Sequence, residues 1–140
     1  TTKDMRYFLT LLLSIFLNLN VAQAQDIEIE VVQLKNLLDS NAVVVDIRRE
    51  EEWKQTGVIF ESILSTFFNK DGTANINVFL DDLRESVSPE QTILLICRTG
   101  RRTKVATKFM LSNTEFKEVF SVSGGITEWK KQGFSTVSYP

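Results

Sequence analysis

The sequence predicts an α/β domain in which helices cover both faces of a parallel central sheet. Short apolar segments alternate along the chain with segments of helical spacing, the order expected when helices connect parallel strands. Residues 42–46 and 92–96 are largely continuous apolar runs, which is typical of strands buried on both faces. With 140 residues, of which 43% are apolar, the chain is long enough for one such domain with a packed core.

The first half of the chain is predicted to contain three strands and two helices. Strands are expected over residues 27–31, 42–46 and 58–64. Helices are expected over residues 32–39 and 48–55. Gly57 suits the carboxyl end of the second helix. The three glutamates at 50–52 are predicted to face solvent and to favour the start of that helix.

The second half is predicted to add two strands and three helices. A turn at residues 69–72 precedes a helix over 75–87, which Pro89 ends. The remaining strands are expected over residues 92–96 and 118–122. The remaining helices are expected over residues 104–112 and 126–132.

The N-terminal segment predicts a secretory signal peptide over residues 1–24, with Met5 as the true start. A short basic start precedes an apolar segment at 9–19, and Ala22-Gln23-Ala24 fits the small-x-small pattern of a cleavage site. The apolar segment is short for a membrane span, and a retained anchor is the alternative. Cleavage after Ala24 predicts a periplasmic or secreted single domain over residues 25–140, without stable membrane insertion.

The composition excludes several kinds of function. The sequence contains no histidine, so the usual general base of a Cys-His or Ser-His hydrolase is missing. One cysteine without histidine cannot build a zinc site, and we expect neither a metal nor a cofactor. The formal net charge of -2 gives no reason to expect nucleic acid as a partner.

The sole cysteine, Cys97, lies between a predicted buried strand and a predicted helix. The candidate site is the loop that begins with it: Cys97, Arg98, Thr99, Gly100, Arg101, Arg102 and Thr103. Backbone N–H groups at such a strand-to-helix turn form a cradle for an anion, and the same field favours a thiolate. The alternative is that Cys97 is a small apolar core residue that ends a strand.

Three segments resemble the rhodanese-domain sulfurtransferases. Cys97-Arg98-Thr99-Gly100-Arg101-Arg102-Thr103 is similar to that family's active-site loop, commonly Cys-Arg-x-Gly-x-Arg-Ser/Thr. Asp46-Ile47-Arg48, followed by Glu52-Trp53 and Gly57-Val58-Ile59, resembles its Asp-Val/Ile-Arg … Glu-Phe/Trp … Gly-His-Ile segment, with Val58 in place of histidine. Gly124-Gly125-Ile126, with Trp129 and Gly133, resembles its closing segment.

The resemblance implies a single rhodanese domain and a sulfur-transfer reaction. Cys97 would take a sulfane sulfur from a small anionic donor such as thiosulfate and would pass it, as a persulfide, to cyanide or a thiol. The substrate-binding residues would be Arg98, Thr99, Gly100, Arg101, Arg102 and Thr103. Asp46 and Arg48 are expected to support the structure of the site.

Two alternative functions stay open at this point. The domain would act without turnover if it were a persulfide carrier or a docking module for a sulfur-relay protein partner. A Cdc25-like phosphatase or an arsenate reductase is the more distant alternative. Cysteine-dependent phosphatases place five residues between cysteine and arginine, whereas four residues separate Cys97 from Arg102.

Overall fold

The computed structural model describes residues 26–140, which form one five-stranded sheet with five helices. The strands are β1 (Glu28–Ile29), β2 (Val43–Asp46), β3 (Ile63–Leu64), β4 (Thr92–Ile96) and β5 (Glu118–Val122). The helices are α1 (Val31–Leu37), α2 (Glu50–Thr56), α3 (Ile76–Arg84), α4 (Arg101–Asn113) and α5 (Gly125–Lys131). The strand order is β1-β5-β4-β2-β3, and every neighbouring pair is parallel. The predicted α/β fold class is confirmed.

The central strand β4 separates two hydrophobic cores. Its side chains alternate between them, because successive residues of a strand point to opposite faces. Ile93 and Leu95 contribute to a core shared with α3 and α4, whereas Leu94 and Ile96 contribute to a core shared with α1 and α5. All four side chains are fully buried, which explains the continuous apolar run in the sequence.

The register of the sheet places the candidate site at its carboxyl edge. Asp46, the last residue of β2, pairs with Ile96, the last residue of β4. Cys97 and Arg48 therefore follow two neighbouring parallel strands at the same edge. Ligand sites of open parallel sheets commonly lie at this edge.

The predicted strands over 27–31 and 58–64 are too long. The first ends at Ile29 because α1 begins at Val31, where the backbone N–H of Glu30 donates to Gln33 Oε1 at 2.7 Å. In the second, only Ile63–Leu64 pairs with β2. The chain before it turns at Glu61, where φ is 62°. These are corrections to the predicted boundaries, and they arise from local capping and turn geometry that an apolar pattern does not encode.

Helix α4 begins three residues earlier than predicted. Arg101 is its first residue, and the backbone N–H of Lys104 donates to the carbonyl of Gly100 at 3.2 Å. The second half of the cysteine loop is therefore the first turn of a 13-residue helix.

The predicted signal peptide, residues 1–24, lies outside the described residues. Within residues 26–140, no helix combines the length and the apolar character that a membrane crossing requires.

Candidate active site

The thiol of Cys97 lies in a tight turn between β4 and α4. Its side chain belongs to the core on the α4 face, and the residue is only 1% exposed. The backbone N–H of Gly100 donates to Sγ at 3.1 Å, and Thr103 Oγ1 lies 3.5 Å from the same sulfur. The sulfur therefore accepts a hydrogen bond from the turn and lies within reach of a hydroxyl group on the helix.

Gly100 makes this turn possible. Its φ is 92°, in the left-handed region that side chains rarely adopt. A Cβ atom at this position would lie 3.1 Å from the backbone nitrogen of Gly124 and 3.1 Å from the carbonyl oxygen of Val122. Glycine is therefore favoured at this position for two reasons: the backbone is left-handed, and the neighbouring segment 122–124 leaves little space for a side chain.

The predicted site residues occupy different environments. Gly100 and Thr103 are buried, Arg102 is partly buried, and Arg98, Thr99 and Arg101 are exposed. Arg98 and Arg101 form no ion pair with any other residue in the described range, so their charges face solvent at the entrance of the site. Gly100 and Thr103 thus form the buried part of the loop, and the exposed side chains of Arg98 and Arg101 form its cationic rim.

Arg102 is held by Glu52, a residue that the sequence analysis assigned to a solvated face. Its guanidinium donates to both carboxylate oxygens of Glu52, at 2.8 and 2.6 Å. Burial alone would raise the pKa of Glu52, but the hydrogen bonds and charges of Arg102 and Arg49 lower it to about 2. The hydrogen bond from Arg102 to Glu52 raises the pKa of Arg102. Glu52 is therefore a charged partner of the loop, and its proximity to Arg102 depends on how α2 packs.

Asp46 and Arg48 form a fully buried ion pair at the end of β2. Arg48 Nη2 donates to Asp46 Oδ2 at 2.7 Å, and Arg48 Nη1 donates to Thr56 Oγ1 at 2.7 Å. Arg48 also donates to the carbonyl of Gly57 at 3.0 Å. These bonds tie β2 to the carboxyl end of α2, the helix that carries Glu52. Arg48 also lines the cavity that opens beside the turn. The supporting role of Asp46 and Arg48 stays a prediction.

The start of α5 holds the cysteine turn from the other side. The backbone N–H of Ile126 donates to the carbonyl of Cys97 at 2.8 Å, and that of Thr127 donates to the carbonyl of Arg98 at 3.1 Å. Gly125 allows this approach, because a Cβ atom there would lie 2.4 Å from the carbonyl oxygen of Cys97. The glycine pair at 124–125 is visible in the sequence, but the segment that it contacts is not.

A cavity of about 500 Å³ opens beside the turn. Its lining combines the carboxylates Glu51 and Glu52 with five cations: Arg48, Arg49, Arg98, Arg102 and Lys70. Because Arg48, Arg49 and Arg102 are already paired with carboxylates, Arg98 and Lys70 are the lining cations best placed to attract a small anion. Residues 26–140 contain no cluster of three or more side chains suited to hold a metal ion.

The fold and the turn together define a class of protein. In this chain they place a buried thiol at the carboxyl end of a central parallel strand, next to a backbone donor and a cationic rim. The family model of the Rhodanese-like domain matches residues 30–132, and the chain belongs to that family. The resemblance to a single rhodanese domain is thereby confirmed.

Curated relatives and solved structures agree with this assignment. Rhodanese-like domain-containing protein 17 of Arabidopsis thaliana is 30% identical over 118 residues, which cover 82% of this chain and 75% of the relative. Thiosulfate sulfurtransferase 18 of the same plant is 25% identical over 111 residues, covering 77% of this chain and 81% of the relative. The crystal structure of Rv0390 from M. tuberculosis has a TM-score of 0.67 and 26% identity, covering 80% of this chain and 97% of that one.

Proposed function

We propose that the protein is a sulfurtransferase that moves a sulfane sulfur from an anionic donor such as thiosulfate to cyanide or a thiol. The carrier is a persulfide on Cys97. The observation that carries this proposal is the buried sulfur, which receives the N–H of Gly100 at 3.1 Å beside the Thr103 hydroxyl. The similarity to a relative named thiosulfate sulfurtransferase also supports it.

The first displacement forms the persulfide. The thiolate of Cys97 attacks the outer sulfur of thiosulfate, and a new S–S bond forms as the bond to the sulfonate sulfur breaks. Sulfite leaves with the electron pair of that bond. The exposed cations Arg98 and Lys70 stabilise the dianionic donor and the departing sulfite.

The second displacement returns the enzyme to its starting state. Cyanide attacks the outer sulfur of the persulfide and leaves as thiocyanate, while the electron pair of the S–S bond returns to Cys97 as a thiolate. Neither displacement requires proton transfer by a side chain when the thiolate and cyanide are the nucleophiles. The mechanism is therefore compatible with a chain that contains no histidine.

Mass spectrometry of the intact protein tests both displacements separately. After incubation with thiosulfate, we expect the wild type to gain one sulfur atom and Cys97→Ser to gain none. Added cyanide should remove that sulfur and release thiocyanate. Failure of the wild type to gain sulfur would contradict the proposal, whereas a persulfide that neither cyanide nor small thiols discharge would indicate a non-turnover carrier.

We also propose that the protein is exported, which rests on the sequence pattern of residues 1–24. Cleavage after Ala24 places the sulfur chemistry in the periplasm or outside the cell. The intact mass of the protein isolated from its native host tests the cleavage, which a retained leader would contradict, and its recovery with the cytoplasmic fraction would contradict the export.

A further inference from the structure

Two buried hydroxyl groups lie one behind the other next to the sulfur of Cys97. Thr103 Oγ1, in the first turn of α4, is 3.5 Å from Sγ, and Ser121 Oγ, in β5, is 2.7 Å from Thr103 Oγ1. Both residues are fully buried. Thr103 belongs to the predicted cysteine loop, whereas no sequence pattern distinguishes Ser121. The structure therefore places a second hydroxyl behind the one that contacts the thiol.

The number of hydroxyl protons determines which hydrogen bonds Thr103 and Ser121 can donate. Each hydroxyl carries one proton, whereas the carbonyl of Gly100 and a thiolate sulfur only accept. The 2.7 Å contact consumes one proton. If Ser121 donates it, Thr103 keeps its own proton for the sulfur. The carbonyl of Gly100 is a further acceptor for both hydroxyls, at 3.1 Å from Thr103 Oγ1 and 3.5 Å from Ser121 Oγ, and it also accepts the backbone N–H of Lys104 at 3.2 Å. A thiolate competes with this neutral carbonyl for the Thr103 proton, because it carries a full negative charge.

We propose that Ser121 is a positioning residue that acts on Cys97 through Thr103. Ser121 donates to Thr103, and Thr103 donates to Sγ whenever the sulfur is a thiolate. A hydroxyl that accepts one hydrogen bond is a stronger donor in the next. A bond to an ionised acceptor is stronger than one between neutral groups. Ser121 and Thr103 thus stabilise the thiolate of Cys97. The hydrogen bond from Thr103 would also reach Sγ when that atom is the inner sulfur of the persulfide, and this second statement rests on the proposed function.

The backbone of β5 fixes the position of Ser121. Its N–H donates to the carbonyl of Ile27 at 2.7 Å, and the residue pairs with Leu95 in β4. Ser121 lies on the same face of the strand as Val119, in a position where an apolar side chain would ordinarily pack against α4. A serine here therefore gives up apolar packing and gains a contact with Thr103.

The charged groups on the elements around the turn must stay constant in a test of this role. They lie on the turn and α4, on the end of β2, on α2 and on α5: Arg98, Arg101, Arg102, Asp46, Arg48, Glu52 and Glu128. Ser121→Ala changes none of them. A change in the titration of the sulfur in this variant is therefore attributable to the hydroxyl.

The test follows the ultraviolet absorbance of the thiolate as a function of pH. Cys97 is the only cysteine in the sequence, and Cys97→Ser supplies the blank. We expect Ser121→Ala to move the midpoint upward by about 0.5–1 pH unit, which leaves roughly three- to tenfold less thiolate below the midpoint. Ser121→Thr, which keeps the hydroxyl, should restore the wild-type midpoint.

Two further variants separate this role from a merely structural one. Thr107 Oγ1 is buried one turn further along α4 and has no hydrogen-bond partner among residues 26–140, so Thr107→Val should leave the midpoint unchanged. In a Thr103→Val background, adding Ser121→Ala should produce little further shift, because its effect passes through Thr103. A wild-type midpoint in Ser121→Ala, or an undiminished shift in that background, would overturn the proposal. Neither readout requires sulfur transfer, so the proposed function can fail independently.

Discussion

Replacing Gly125 by alanine tests how the cysteine turn is supported. Gly125 is the first residue of α5, and its φ of 57° lies in the left-handed region. An added Cβ would lie 2.4 Å from the carbonyl oxygen of Cys97 and 2.6 Å from both the carbonyl carbon and oxygen of Arg98. Real Cβ contacts do not come closer than 3.0 Å, and backbone atoms cannot move aside as a flexible side chain can. The substitution must therefore displace either the cysteine turn or α5.

The expected cost has two parts, and Gly133 separates them. Gly133 has a φ of 82°, but nothing lies within 4 Å of a Cβ built on it, so Gly133→Ala measures the conformational cost alone. That cost is about 1–2 kcal/mol. Gly125→Ala adds the steric overlap, and overpacking of a well-packed site typically costs about 1–3 kcal/mol. We therefore expect Gly125→Ala to lose about 2–5 kcal/mol in total.

Two measurements check the Gly125→Ala prediction. Urea denaturation should show a loss in the free energy of unfolding about 1–3 kcal/mol larger for Gly125→Ala than for Gly133→Ala. Persulfide formation from thiosulfate should fall in Gly125→Ala, because the hydrogen bonds of Ile126 and Thr127 to the turn are strained or lost. Equal stability and equal persulfide formation in the two variants would refute the conclusion that the start of α5 holds the cysteine turn in place.

The remaining predictions concern the two ion pairs near the cysteine turn, Arg102–Glu52 and Arg48–Asp46. Glu52→Gln should lower the free energy of unfolding by about 1–3 kcal/mol because it leaves the guanidinium of Arg102 without its charged partner; Glu115→Gln, at an exposed pair, should change it far less. The pKa of Glu52 is about 2 in the folded protein and 4.5 ordinarily, so its contribution is complete above pH 4.5 and is lost as the pH falls toward 2. The difference in stability between wild type and Glu52→Gln should therefore shrink across that range in acid denaturation, and a constant difference would argue against the pair. Asp46→Asn should cost about 3–5 kcal/mol in urea denaturation, since it leaves the charge of Arg48 buried without compensation; a loss below 1 kcal/mol would contradict this.

The sheet was predictable because its central strands are buried on both faces. β2 and β4 appear in the sequence as continuous apolar runs, and their positions agree with the structure to within a residue. The predicted strand over 58–64 was wrong in length, since the chain turns at residues 60–61 and Val58 pairs antiparallel with Val137 instead. That pairing joins residues far apart in the chain, and no local pattern encodes it.

Local sequence was enough to select the reactive thiol and its turn. The identity of Cys97, the glycine at 100 and the surrounding arginines are all contained in one short segment, and their chemistry depends on residue type. The turn follows β4 directly, so placing that strand also placed the sulfur at the edge of the sheet. The absence of histidine likewise follows from composition alone.

Packing between distant segments determined which groups support that thiol. Glu52 lies 50 residues from Arg102, and Ser121 lies 18 residues from Thr103, yet each pair is in direct contact. A hydrophobic pattern indicates which face of an element is buried, but it does not specify which polar atoms meet when two elements pack. The roles of Glu52, Ser121 and Gly125 therefore became visible only when α2, β5 and α5 were in place around the turn.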